Sequence, residues 1–213
     1  MCNASAPDVR FGGGPFIHLR KIKMRFRRIT KRTVQGLFLV LVFPSALLCA
    51  FGQIKVLYIF FAQFFALFPG IVGTFLRSAF YKYTLRECSI DTTISFGTFF
   101  SSRDARVGAN VSIGSFCVIG RARIGMRTQI SSHVEIPSGR SQHPRDEQGR
   151  FLDSGSGEVV IGSDCWIGAS AVIMANVGDQ STIGAGSVVV KDIPARVIAV
   201  GVPAKPIKSS VDA

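Results

Sequence analysis

The sequence predicts a mostly β structure, a parallel β-helix built from short strands, preceded by an apolar helical region. Two observations carry this prediction. In the C-terminal half, aliphatic residues recur at intervals of about six, and eight of the twelve in the two clearest runs are followed directly by glycine. In the N-terminal third, the stretches 34–51 and 56–76 contain no charged residue.

Length and charge limit the functional classes. A chain of 213 residues has room for one compact domain and an appendage. The net charge is +12, but residues 1–33 contribute +8 of it, with nine basic residues and one acidic residue. We expect the first part of this basic tail to be disordered. Because the charge belongs to the tail and not to the remainder of the chain, we do not predict nucleic-acid binding.

Residues 34–87 are predicted to form a helical, membrane-associated region. Each uncharged stretch is close to the ~20 residues that a bilayer-spanning helix needs. Basic residues flank the pair, so a helical hairpin would have both ends on the cytoplasmic side. Two alternatives remain open, because Pro44, Pro69 and Gly70 would kink these helices. The hairpin could enter the membrane only shallowly, or it could cover one end of the following domain without touching lipid.

The repeat defines a domain over residues 88–208. A period of six fits neither a helix nor an ordinary hairpin, whereas a coil of short strands and tight turns fits it. The aliphatic side chains are predicted to point inward and to stack from coil to coil, with glycine in the turns. Between Ile173 and Val177 the coil is two residues short of the period. The two runs are Val107, Ile113, Ile119, Ile124, Ile130 and Ile136, then Ile161, Ile167, Ile173, Val177, Ile183 and Val189.

One polar segment, residues 137–158, interrupts the repeat and contains His143. We predict that it leaves the coil as a loop. A long loop anchored at both ends by regular structure is often functional.

Metal chemistry is not predicted. The five cysteines are odd in number and form no C-x-x-C pair, so neither a disulfide framework nor a zinc site is indicated. A reducing cytoplasm fits this usage best. The three histidines lie far apart in the sequence: His18, His133 and His143.

Residues 94–208 resemble the hexapeptide-repeat acyltransferases, left-handed parallel β-helix enzymes that use acetyl-CoA. The closest likeness is to the galactoside and maltose acetyltransferases and related sugar O-acetyltransferases. Four features carry the resemblance: the hexapeptide series, Ser141-Gln142-His143-Pro144, the segment 161–168, and the C-terminal segments 183–194 and 200–207, which include Gly201-Val202-Pro203-Ala204-Lys205.

The resemblance implies that His143 is the general base. Imidazole can accept the proton of a sugar hydroxyl as the oxygen attacks the thioester carbonyl, and its ordinary pKa suits neutral pH. His133 is the competing histidine, but its place in the repeat puts it in a turn or pointing outward. The family also implies a homotrimer with each site between neighbouring β-helices.

The resemblance further implies how acetyl-CoA is bound. Small residues would let the pantetheine arm lie along the coil backbone, lysines would meet the phosphates as point charges, and a tryptophan would lie near the acceptor. These positions are Ala169, Ala185 and Gly186; Lys191, Lys205 and Lys208; and Trp166.

We therefore expect an acetyl-CoA-dependent O-acetyltransferase acting on a sugar or glycan in cell-surface polysaccharide or glycolipid biosynthesis, with no metal. Its expected location is the cytoplasmic face of the membrane, with a soluble cytoplasmic location as the alternative. Two other functions remain open. One is N-acetylation of an amino sugar or xenobiotic, and the other is a non-catalytic β-helix scaffold recruited to anionic lipid.

Overall fold

The computed structural model describes residues 16–139, 145–151 and 157–209, with side chains from Thr30 onward. The chain divides into two compact units, Met1–Leu37 and Phe38–Ala213. Helix α1 spans Phe16–Leu48. The remaining helices and the coil belong to the second unit.

The apolar region forms more helices than a simple hairpin. After α1 comes a short 3-10 turn, Ala50–Gly52, followed by α2, Lys55–Ala66, and α3, Gly70–Thr84. The second apolar stretch, expected as one helix, is thus divided at Leu67–Pro69. Pro69 has an extended backbone and is the N-cap residue of α3, as its restricted geometry favours. Pro44, in contrast, lies inside α1.

The described part of the domain contains sixteen strands, almost all two or three residues long. They are β1 Glu87–Cys88, β2 Thr93–Ile94, β3 Phe99–Phe100, β4 Arg106–Val107, β5 Ser112–Ile113, β6 Val118–Ile119, β7 Ala122–Ile124, β8 Gln129–Ile130, β9 Glu135–Ile136, β10 Val159–Ile161, β11 Trp166–Ile167, β12 Val172–Ile173, β13 Thr182–Ile183, β14 Val188–Val189, β15 Val197–Val200 and β16 Lys205–Ser209.

Successive strands enter three sheets in turn, which makes a coil with three faces. The first face is ordered β1-β4-β7-β10, the second β2-β5-β8-β11-β13-β15-β16, and the third β3-β6-β9-β12-β14. All the pairings are parallel except β15 with β16, which is antiparallel. The predicted parallel β-helix is therefore confirmed. We call the turn after each face the first, second and third corner.

The interior consists of the predicted aliphatic residues. All twelve are at most 3% exposed, and they stack in register, with Ile113 beside Ile130 and Ile167 beside Ile183. The short interval before Val177 keeps this order, because Val177 bridges Ile161 and Ile193 in the neighbouring coils. The missing residues shorten the third corner, and the next coil repeats the same short step from Val189 to Ile193.

The helices of the second unit cover the open end of the coil. An uncovered end would leave strand N–H and C=O groups without partners. Tyr58 Oη donates to the Phe100 carbonyl at 3.0 Å, and the Phe100 amide donates to Tyr81 Oη at 3.1 Å. The Gly97 amide donates to the Ala66 carbonyl at 2.8 Å. Side-chain and helix-end groups thus satisfy the first coil.

A buried arginine connects the helices to this coil. Arg77 of α3 is fully buried. Its Nε donates to the Ile94 carbonyl at 2.9 Å, and its Nη1 donates to the carbonyls of Phe65 and Phe68 at 3.0 and 2.8 Å. These last carbonyls lie at the end of α2, where helix carbonyls lack intrahelical partners and favour a cation. Desolvation lowers the pKa of Arg77, but arginine keeps its proton in proteins.

We predict that Arg77→Met destabilises the protein by about 3 kcal/mol, because several buried carbonyls lose a charged donor. For a chain of this size the melting temperature would fall by roughly 6–12 °C. Thermal unfolding followed by circular dichroism in detergent measures it. Arg86→Met is the matched control, since Arg86 is half exposed and reaches only Asp104, at 3.9 Å. Equal melting temperatures for the two variants would contradict the role of Arg77.

Candidate active site

The second corner presents a regular ladder of backbone turns. On five successive coils one residue there has a positive φ, between 57 and 76°. Turns of this kind need such a residue. The first rung donates its amide to the end of α2, and each later rung donates to the coil before it, as from His133 to the Ser115 carbonyl at 2.8 Å. The rungs are Gly97, Phe116, His133, Ser170 and Gly186.

The last two rungs contain the small residues expected to contact CoA. Ala169, Ala185 and Gly186 are exposed and adjacent, because the Gly186 amide donates to the Ala169 carbonyl at 2.8 Å. Nothing lies within 4 Å of a Cβ built on Gly186, whereas a Cβ on Gly168 would lie 2.5 Å from the Ala185 nitrogen. The corner is therefore tightly stacked inside and open outside. We call these three residues the small-residue strip.

The expected cofactor lysines do not all lie together. Lys205 and Lys208 are on β16, at the edge of the second face, and the exposed Trp166 is on β11 of the same face. Lys191 follows β14 and lies at the third corner. The third face therefore separates Lys191 from the small-residue strip. All three lysines are exposed.

The predicted loop leaves and re-enters the coil at the third corner. Its two ends meet, since a Cβ on Gly139 would lie 3.3 Å from the Gly157 Cα. Glu158 holds the returning end through ion pairs to Arg106 and Arg123, both at 3.1 Å. His143, the expected base, lies outside the described residues.

The described middle of the loop, residues 145–151, is a small hairpin. Arg145 pairs with Phe151 in an antiparallel bridge, and its guanidinium lies 4.0 Å from the centre of the Phe151 ring. Asp146 accepts the Arg150 amide at 2.8 Å and the Arg150 Nε at 2.9 Å. Local contacts of this kind give the loop a defined shape in this section.

A cavity of about 230 Å³ lies at the base of the loop. It is smaller than the ~300–1,000 Å³ usual for a ligand pocket. Asp192 in its lining is already engaged, since it accepts the Asn176 amide at 3.0 Å. This cavity alone does not hold a whole substrate. Its lining comprises Gly139, Gly157, Glu158, Val159, Met174, Ala175, Asn176 and Asp192.

Thiol nucleophiles and metal clusters find no support among the described residues. Cys49, Cys88, Cys117 and Cys165 are buried, and desolvation raises the pKa of each thiol, that of Cys88 to about 11. A thiol must ionise to act as a nucleophile. No group of three His, Cys, Asp or Glu side chains in the described ranges could hold a metal ion.

One feature of the second corner was missed from the sequence. The His133 ring stacks on the Phe116 ring with centroids 5.4 Å apart, and Phe116 meets Phe96 edge-on at the same distance. Phe116 is half exposed, and His133 is exposed in a turn, as its place in the repeat predicted. The signal in the sequence was the spacing between these residues: 20 from Phe96 to Phe116 and 17 from Phe116 to His133, about one coil each. We call this trio the aromatic stack.

Comparisons with known proteins agree with this architecture. Residues 158–191 match the model of the family "Bacterial transferase hexapeptide (six repeats)". A galactoside acetyltransferase solved in complex with coenzyme A is similar in fold, with a TM-score of 0.56 and 24% identity over 70% of this chain and 77% of that one.

Two curated relatives match shorter stretches. A galactoside O-acetyltransferase of Escherichia coli is 50% identical over 56 residues, 25% of this chain and 28% of the relative. A 2,3,4,5-tetrahydropyridine-2,6-dicarboxylate N-acetyltransferase of Clostridium perfringens is 54% identical over 52 residues, 24% of this chain and 22% of the relative. The matched part is thus less than a third of either relative.

Proposed function

We propose that the chain is a hexapeptide-repeat acetyltransferase that transfers an acetyl group from acetyl-CoA to a hydroxyl of a sugar or glycan. The small-residue strip is the observation that carries this proposal. It is exposed, has no side chain beyond a methyl group, and falls within the residues that the family model matches. An extended pantetheine arm could therefore lie close to the coil backbone there.

The proposed reaction is direct transfer. His143 accepts the proton of the acceptor hydroxyl while the oxygen attacks the thioester carbonyl carbon. The tetrahedral adduct then collapses, the carbon–sulfur bond breaks, and the proton passes from His143 to the departing CoA sulfur. The buried thiols of the described residues favour this route over an acyl-cysteine intermediate.

We propose that the working unit is a homotrimer with one site between each pair of neighbours. The loop that carries His143 begins at the third corner, where Lys191 also lies, whereas the small-residue strip lies at the second corner. A neighbouring copy could place its third corner against this second corner. A head-to-tail contact of this kind, repeated by a closing rotation, gives a ring.

The remaining parts of the proposed site lie on or beside the second corner. Lys205 and Lys208 would attract the phosphates of CoA as point charges. The aromatic stack offers exposed ring surface, which suits the apolar face of a sugar, and Trp166 lies on the adjoining face. A site in the cytoplasm would have access to acetyl-CoA, and the proposed role is in cell-surface polysaccharide or glycolipid synthesis.

N-acetylation is the second candidate function, favoured by the N-acetyltransferase among the relatives. It needs the same donor and base but an amine acceptor. A panel that pairs each sugar with its amino-sugar analogue separates the two. A non-catalytic scaffold would bind no CoA at all.

We predict that His143→Ala lowers kcat by about 10²-fold or more, because the attacking hydroxyl loses its general base. CoA thiol release in detergent, with acetyl-CoA and the acceptor panel, measures it. His133→Ala is the comparison: it removes part of the aromatic stack, so it should raise the acceptor KM and leave kcat within a few-fold of wild type. A larger kcat loss in His133→Ala than in His143→Ala would contradict the assignment.

We also predict that Ala185→Trp weakens acetyl-CoA binding by at least about tenfold, because an indole would fill the small-residue strip. Ala195→Trp is a matched control. Ala195 is also exposed and also precedes a residue with positive φ, but it lies at the first corner of the next coil. Isothermal titration with CoA compares the two variants. Equal affinities would exclude the strip as the CoA site.

A further inference from the structure

Helix α2 is apolar on two opposite sides, but only one side has a partner within the second unit. Tyr58, Ala62, Phe65 and Ala66 are buried against the coil and α3. The outward stripe runs along the other side at helical spacing. It consists of Val56, Phe60, Phe64 and Leu67, which are 79, 57, 46 and 70% exposed.

Exposed apolar side chains also occur on the helices that precede and follow α2 in the chain. Leu41 and Leu48 of α1 and Ile71 and Val72 of α3 are also more than half exposed. Lys55 is the one charged residue in the sequence between Thr33 and Arg77. Exposed apolar side chains concentrated in one part of a chain are typical of an interaction site. We call it the cap surface, meaning the exposed apolar side chains between residues 40 and 72.

We propose that the cap surface lies in the interfacial layer of a membrane that contains anionic lipid, with α2 parallel to the membrane plane. The coil then stands on the membrane by the end that the helices cover. Apolar side chains of such a helix enter about 5–10 Å of the headgroup and acyl boundary. Lys55 at the start of α2 is exposed and can extend its charge to the headgroups.

The internal contacts of α2 and α3 favour lying on the membrane over crossing it. Twelve residues of α2 make roughly 18 Å of helix, short of the ~30 Å hydrocarbon core. Its inner stripe is held by the Tyr58 bond to Phe100 and by the packing of Phe65 on Phe80, with ring centroids 5.1 Å apart. Most of α3 is buried, including Arg77.

In the part of the chain that the structure describes, one helical segment, Thr30–Leu48, is long and apolar enough to cross a membrane, with a mean hydropathy of 1.3. Its last part is packed within the second unit. Phe38 stacks on Phe75 of α3 with centroids 5.4 Å apart, and Val42, Ala46 and Cys49 are buried. Crossing would require these contacts to break, so we assign this part of α1 to the cap surface as well.

Charge favours lipid over a second copy of the chain as the occupant. Residues 20–32, which precede the cap surface in sequence, contain eight basic residues and no acidic one. Each basic residue near an anionic membrane contributes roughly 1 kcal/mol of attraction. A second copy of the chain carries the same net charge of +12, and like charges repel.

Vesicle flotation of the full-length protein, exchanged from detergent, tests this proposal. Phosphatidylcholine vesicles are compared with vesicles that also contain phosphatidylserine. We expect wild type to float with both, more strongly with the anionic ones, and added salt to remove the difference but not all binding. The double variant Phe60→Asp/Phe64→Asp should lower the partition coefficient by at least about tenfold, because two apolar side chains are lost from the contact.

The matched control is Val202→Asp/Ile207→Asp, which changes two apolar residues near the C-terminus that are 72 and 61% exposed. It should float within about twofold of wild type. Both double variants should keep the wild-type melting temperature, since none of the four side chains is buried. Equal flotation of the two double variants would overturn the proposal.

Two further readouts separate the other occupants. Alkaline carbonate should release the wild-type protein from the vesicles. A protein that resists carbonate, and whose N-terminus a protease digests only after the vesicles are opened, would have a spanning helix. That result would overturn the in-plane arrangement. Light scattering without vesicles should give the same oligomer for wild type and Phe60→Asp/Phe64→Asp. A larger wild-type oligomer that fails to float would show pairing between copies and overturn the lipid assignment.

Discussion

The in-register stacking of one coil on the next is the constraint on which the rest of the structure depends. Each face places an aliphatic side chain directly beside its equivalent, as with Ile113 and Ile130 or Ile167 and Ile183. Stacking buries a continuous apolar core and pairs the strand backbones at the same time. It also fixes the corners, so the turn residues of successive coils form ladders. The small-residue strip and the aromatic stack are both parts of the ladder at the second corner.

Stacked coils need a covered end, and the helices of the second unit meet that need. Arg77, Tyr58 and Tyr81 bring polar groups to backbone atoms that a further coil would otherwise pair. The same packing leaves the outer side of α2 apolar and uncovered, which is the origin of the cap surface. The bond from Gly97 to Ala66 joins the first rung of the second corner to the end of α2. The ladder that carries the proposed site therefore begins beside the C-terminal end of α2, the helix of the proposed membrane contact.

The sequence predicts the coil well because its period alone dictates which side chains point inward. Even the short interval before Val177 preserves this pattern, because the two missing residues are missing from a corner and not from a strand. Other features depend on alignment between distant coils. The sequence did not place Lys191 at a different corner from Ala185, and it did not reveal that Phe116 would meet His133, because both require the number of residues in every intervening turn. The division of the second apolar stretch had a local signal in the sequence, which is Pro69 itself. Which residues of α2 and α3 face the coil had no such signal.

We propose that the two halves of the active site lie at different corners of the coil, so that two copies must complete it. Mixing His143→Ala subunits with Ala185→Trp subunits, after unfolding and joint refolding, tests this most directly. At an acetyl-CoA concentration below the wild-type Kd, each variant alone is expected to keep at most about a tenth of wild-type activity, because one lacks the general base and the other binds acetyl-CoA weakly. In random mixed trimers about a quarter of the sites would combine an intact His143 loop from one copy with an intact strip from its neighbour, so activity should return to about a quarter of wild type. Mixed trimers with no more activity than the two parent variants would show that each site lies within one chain and would contradict the account.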